Sequence, residues 1–202
     1  MSPAQPEDAE AAGDPVAPGY PVASGHPAPE VPAAHLRALG VVLERVIAEL
    51  TSAEAPDEAL ATVRRGRFTK LRRMDAAGRA WRLGVLLLDR RGTLYSTGSV
   101  TRAIAPLRAV TNRSPEAEAR REDRRAAVRG RFPEGEVVNF GFTQLDPIAL
   151  HDGPLSWSAS GVVLVQWNPR DATARRPIDG YLAERMGMLL EGLEFADIHF
   201  DD

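Results

Sequence analysis

Residues Trp81 to Gly98 read WRLGVLLLDRRGTLYSTG, and the pattern of that stretch decides the fold class. An apolar run from Trp81 to Leu88 meets the charged segment Asp89-Arg90-Arg91-Gly92, after which apolar and polar residues alternate. Two such runs around a short glycine-bearing turn predict a β-hairpin. In the first run Trp81, Leu83, Val85 and Leu87 share one face, while Arg82, Gly84, Leu86 and Leu88 share the other. Both faces are therefore expected to be covered for most of its length, as in a central strand. Gly92 supplies the freedom for positive φ that the turn requires, and the return strand is expected from Thr93 to about Val100.

On the N-terminal side, Leu36, Leu39, Leu43, Val46, Ile47 and Leu50 recur at helical spacing, predicting an amphipathic helix that starts at Pro32. Ala53 to Pro56 ends it, and Asp57 is placed to cap a short second helix through Val63. RRGRFTKLRRMDAAGR, residues 64–79, then reads as a basic connector into the hairpin. Residues 1–32 are rich in Pro, Ala and Gly and hold too little apolar surface to offset chain entropy, so they are expected to form a disordered tail.

On the C-terminal side, Ser114-Pro115-Glu116 has the residues of a helix start, and Gly130 suits its end. The interior EAEARREDRRAAVR predicts a largely solvated surface helix. Phe132-Pro133-Glu134-Gly135 is a turn. The next segment, EVVNFGFTQL, sends Val138, Phe140 and Phe142 one way and Asn139, Gly141 and Thr143 the other, predicting a half-buried strand with a polar outer face. Asp146 to Pro154 reads as a loop and Ser160 to Trp167 as a further strand, stopped by Asn168-Pro169. Ile178, Tyr181, Leu182, Met186, Leu189, Leu190 and Leu193 mark a second amphipathic helix. The last residues, EFADIHFDD, read as an extra edge strand or a frayed end. The whole predicts an α+β protein with a single antiparallel sheet of about four to five strands and helices mainly on one face. Residues 33–195 are read as one domain between the tail, 1–32, and an acidic end, 196–202.

With 44% hydrophobic residues, 26% charged residues and a net charge of -3, the chain belongs with soluble globular proteins. The absence of cysteine removes disulfides, thiolate metal sites and cysteine nucleophiles. No cation precedes Arg37 and no apolar run opens the chain, so a secretion signal is not expected and a cytoplasmic location is. Lys70 is the only lysine, so Schiff-base chemistry would have to use it.

No motif announces chemistry. None of the histidines has metal-ligand spacing: His26 lies in the tail, His35 opens a helix, His151 neighbours Asp152 in a loop, and His199 sits among Asp197, Asp201 and Asp202 in a solvated acidic end. There is no Ser-x-x-Lys and no Gly-x-Ser-x-Gly; Ser96, in YSTGS, belongs to a hydroxyl cluster beside a glycine turn. Catalytic residues are thus not identified, and no metal or cofactor is expected. Arg64, Arg65, Arg67, Lys70, Arg72, Arg73 and Arg79 form a basic window in which only Asp75 is acidic. It could hold phosphate weakly and with strong salt dependence, although the overall acidity argues against nucleic acid as a partner. Gly84 and Gly141 leave strand positions without side chains, which suits close backbone approach. If the strands align, the face carrying Asn139 and Thr143 meets Arg82, Tyr95 and Gln166 in a small polar groove.

WRLGVLLL, GTLYSTG, RFPEGEVVNF and ARRPIDGYLAERM together resemble a group of short actinobacterial proteins, mostly of unknown function, some of which carry the label glutaminase. The resemblance covers about residues 79–192. It implies hydrolysis of glutamine to glutamate and ammonia, here without the Ser-x-x-Lys nucleophile of serine-dependent glutaminases and without a cysteine. Three functions are therefore carried forward. The first is a non-enzymatic binding or interaction module for a protein partner or a small polar ligand. The second is an amide hydrolase, and the third a weak anion or nucleic-acid binder using residues 64–79.

Overall fold

A computed structural model describes residues 31–66, 71–105, 114–150 and 153–197, with side chains through Gly192. The expected tail, apart from Val31 and Pro32, lies outside these residues, as do His151, Arg67, Lys70 and everything after Asp197. Helix α1 spans Ala33–Ser52 and buries Leu39, Leu43, Val46 and Leu50, the stripe that the helical spacing predicts. Helix α2 spans Pro115–Arg129, with the Ser114 hydroxyl accepting the Ala117 N–H at 3.3 Å and Glu116 and Glu118 in the first turn. Helix α3 runs from Ile178 to Asp197, so residues 194–197 continue the helix instead of forming the edge strand considered for them.

The strands are β1 Glu58–Arg65, β2 Arg72–Leu83, β3 Leu86–Leu88, β4 Leu94–Ser96, β5 Ser99–Arg102, β6 Val137–Phe140 and β7 Thr143–Gln144 in one sheet. A second, three-stranded sheet holds β8 Leu155–Trp157, β9 Val163–Gln166 and β10 Arg175–Pro177. The architecture is α+β, but the single antiparallel sheet of about four to five strands is replaced by a mixed seven-stranded sheet and a separate smaller one. The β1–β6 pair is parallel.

Two corrections explain most of the difference. Residues 58–65 form a strand where a short helix was expected. Alternation sends Ala59 and Ala61 to one buried cluster and Leu60 to another, which one helical face could not do. The basic stretch is accordingly not all connector: Arg64 and Arg65 end β1, and Arg72 to Arg79 form most of β2, its partner in the hairpin. The apolar run 81–88 is not one strand but two. Leu83 pairs with Leu86 across the two-residue turn Gly84–Val85, where Gly84 holds φ at 66°.

A bulge sets which β2 residues face which way. Leu60 opposes Gly78 but Ala61 opposes Ala76, so Ala77 is an extra residue and Gly78 takes φ 139°. Met74 and Ala80 are both even-numbered, yet Met74 packs beneath α2 with Ala59 and Ala61 while Ala80 packs with Leu60 and Leu87.

The order β5-β6-β1-β2-β3-β4-β7 closes on itself, because the chain joins the two ends of the sheet. β4 continues into β5 through Thr97–Gly98, and β6 into β7 through Gly141–Phe142. Tyr95↔Gln144 and Ser96↔Thr143 on one side of this break keep the register of Ser99↔Phe140 through Arg102↔Val137 on the other. Both strands change face there: Phe140 packs under α2, whereas Phe142 joins Tyr95 on the opposite side. The pairings therefore return from β6 to β1 and form a barrel-like ring.

Helices α1 and α3 cover the outside of β2, β3 and β4 through Trp81, Leu83, Leu86, Leu88 and Leu94, and the three-stranded sheet adds Leu155, Val163 and Val165. Helix α2 packs over β1 and β6 through Ala126 and Ala127 and leaves most of its other residues exposed or half-buried, as its composition predicts; it does not share one patch with α1 and α3. Leu60, Ala80 and Leu87, with Tyr95 and Phe142, form a small third cluster on the inner side of the ring.

Candidate functional site

The inner side also carries the most enclosed polar group among the described residues. Asn139, read as part of a polar outer face, is 0% exposed. β6 lies parallel to β1 with Asn139 opposite Leu60, which puts its amide diagonally across from Glu58. Glu58 opposes Ala80, so Arg82 is its diagonal neighbour on β2. The three side chains meet. Asn139 Nδ2 donates to Glu58 Oε2 at 2.7 Å and to the Ala59 carbonyl at 3.3 Å, Arg82 Nε donates to the same Glu58 oxygen at 3.1 Å, and Arg82 Nη2 donates to Asn139 Oδ1. An ion pair that shares an amide satisfies each group with a charge-assisted bond, which is how such a cluster tolerates burial.

Two openings flank this cluster, and Glu58, Arg82 and Val137 line both. The first, about 570 Å³, follows β5: Val100, Thr101, Arg102 and Ile104 form one wall, and Arg120, Asp123 and Arg124 of α2 the other. Its carboxylates are already engaged, Asp123 with Arg72 at 2.7 Å and Glu58 with Arg82, which leaves the cations in excess. The second, about 520 Å³, carries Asp57, Glu134 and Glu136 around Arg79. Arg79 Nε donates to Asp57 at 2.5 Å and its Nη2 lies 2.9 Å from Glu136. These partners, Asp57 foremost, hold the guanidinium above its ordinary pKa. The polar cluster thus separates a basic groove from an acidic one.

Of the residues expected to form a polar groove, Arg82 and Asn139 come together and Tyr95 lies in the same row, reached from Arg82 through Leu87. Its ring meets Phe142 edge-on at 5.2 Å and its hydroxyl donates to Asp89 Oδ2 at 3.2 Å. Burial first, then the Asp89 charge, raise its pKa above the ordinary phenol range. Thr143 is exposed on β7, past the break where the faces exchange. Gln166 belongs to the three-stranded sheet, where Nε2 donates to the Asn168 and Asp171 carbonyls. Sequence parity could not foresee either displacement, because one comes from the interruption between β6 and β7 and the other from the division of the strands into two sheets. Glu58 was missed because the helix expected over 57–63 hid its strand position.

The other sequence candidates are mostly occupied. Arg64 and Arg73 pair with Asp75 at 3.2 and 3.0 Å, and Arg72 and Arg79 have the partners given above. The Ser96 hydroxyl donates to the Thr143 carbonyl at 3.5 Å. The His35 ring lies over Gly161 and 5.9 Å from that of Trp157. Among the described residues no group of three His, Asp or Glu side chains could hold a metal, and no helix is long and apolar enough to cross a membrane. Compared with known proteins, the chain matches no protein-family model, no curated protein and no solved structure.

Proposed function

We propose that this chain is a cytoplasmic, non-enzymatic binding module whose contact surface is the groove along β5. The observation that carries this reading is the distribution of charge there. Three arginines, Arg102, Arg120 and Arg124, line an open groove of about 570 Å³ whose carboxylates are each paired, beside exposed Val100 and Ile104. Polar groups aimed at a concave surface from separate, rigid elements are the usual make-up of a recognition site. By contrast, Arg64, Arg72, Arg73 and Arg79 of the basic window spend their charge on neighbouring carboxylates, which favours the β5 groove over residues 64–79 as the anion-binding surface.

The test is an NMR titration of the labelled protein with a panel of carboxylate, phosphate and amide metabolites and short peptides. Shifts confined to β5, Val137, Arg120 and Arg124, with every added compound recovered unchanged, are expected. Turnover of any of them that is lost on a single polar substitution would remove the reading, as would shifts that avoid the groove.

A further inference from the structure

We infer that the unpaired edge of β5 receives an extended, acidic segment of a partner protein as an added strand, a proposal that rests on the groove being the contact surface. The edge is left open by the geometry of the ring. β5 pairs with β6 on one side. On the other, the β2–β3 hairpin ends at Gly84–Val85, and the Thr97 N–H bond to the Val85 carbonyl at 3.2 Å closes that boundary. Beyond it, no described strand pairs with Ser99–Arg102 on that side. An unpaired edge presents a row of N–H and C=O groups that another extended chain can satisfy.

The walls state the chemistry of that chain. An added strand alternates its side chains between two sides. On the side of Val100 and Val137 it meets apolar surface, Val100 being 53% exposed; Ile104, 40% exposed, extends the patch at the end of the strand. On the side of α2 it meets Arg120 and Arg124, while Arg102, two residues from Val100 and opposite Val137, adds a cation at the far end of the first side. Alternating acidic and β-branched residues fit both sides. None of the lining residues is aromatic, so a nucleic acid would find charge but no surface on which to stack its bases, and it could not supply the main-chain bonds.

The experiment uses the full chain and a fluorescent, end-capped peptide of about six residues, Thr-Glu-Val-Glu-Val-Glu, a typical strand length. Fluorescence polarisation is expected to show saturable binding, with slowed amide exchange along β5. The double variant Arg120→Glu/Arg124→Glu, shown to be folded by circular dichroism, should weaken binding about tenfold or more, and Arg37→Glu on α1 should leave it unaltered. Methylating alternate peptide nitrogens, which removes the strand's donors, should abolish it. Equal affinity for the methylated peptide would overturn strand addition, and so would single-stranded RNA that competes with higher affinity. If no peptide binds but the metabolite panel shifts groove resonances, the inference fails and the binding-module reading stands. If nothing shifts them, both fail.

Discussion

The backbone carbonyl of Gly141 occupies the space that a side chain at Gly98 would need. The two residues sit where β4 passes into β5 and β6 into β7, so the ring's longest ribbon turns from one face to the other through a contact that only glycine at 98 permits. Gly98→Ala drives a Cβ into backbone, which cannot move aside as a flexible side chain would, and is expected to cost about 3 kcal/mol. Gly141→Ala meets open space and pays only for its φ of 66°, about 1–2 kcal/mol. Urea denaturation should rank them in that order; equal losses would show that the two strands do not approach there.

Tyr181 holds the tip of the β2–β3 hairpin. Its hydroxyl accepts the Val85 N–H at 2.9 Å and donates to the Leu83 carbonyl at 3.2 Å, directly over Gly84. Tyr181→Phe keeps the ring and leaves both groups unmatched, for an expected loss of about 1–3 kcal/mol in chemical denaturation. Gly84→Ala should cost at least as much, since its Cβ meets that hydroxyl and its φ is positive.

The Glu58–Arg82–Asn139 cluster should behave as a unit. Asn139→Leu removes the shared amide from two charged neighbours and is expected to cost about 2–3 kcal/mol. Adding Arg82→Met and Glu58→Leu should recover part of that loss, because an apolar set replaces a broken polar one. A double-mutant cycle between Glu58 and Arg82 measures their coupling, expected near 1 kcal/mol; additivity would show that the contact carries no energy.

Tyr95 gives the fold an alkaline limit. Its pKa is raised in the folded state, so on unfolding the phenol loses its proton at lower pH. The sign follows: its contribution is complete below the ordinary phenol value of about 10 and is lost as pH rises through the folded-state value. Urea midpoints should fall as the pH rises above about 10, and Tyr95→Phe should reduce that fall. An unchanged slope in the variant would assign the effect elsewhere.

Glutamine should not be hydrolysed. The Ser96 hydroxyl donates to the Thr143 carbonyl, and no described His or carboxylate is bonded to it as a base. Ammonia release by tag-free protein, lost in Ser96→Ala, would restore the amide-hydrolase function that the resemblance implies.

How much of this was legible depends on whether a signal was local. The leucine spacing of α1 and the Ser114-Pro115 start of α2 act within a few residues, and both helices lie where those signals placed them. Strand faces are set by distant partners. The bulge at Ala77, the turn inside WRLGVLLL and the paired breaks at Gly98 and Gly141 each flip or divide a strand without altering local composition. Arg82 and Asn139 were therefore identified as polar strand residues, but their meeting with Glu58 required the parallel β1–β6 pairing, which no hairpin rule predicts.

That parallel pairing also dictates an order of events. β1 finds its second neighbour only when Ala59 meets Val138, so a nascent chain carries an incomplete wall until residues near Phe140 have left the ribosome.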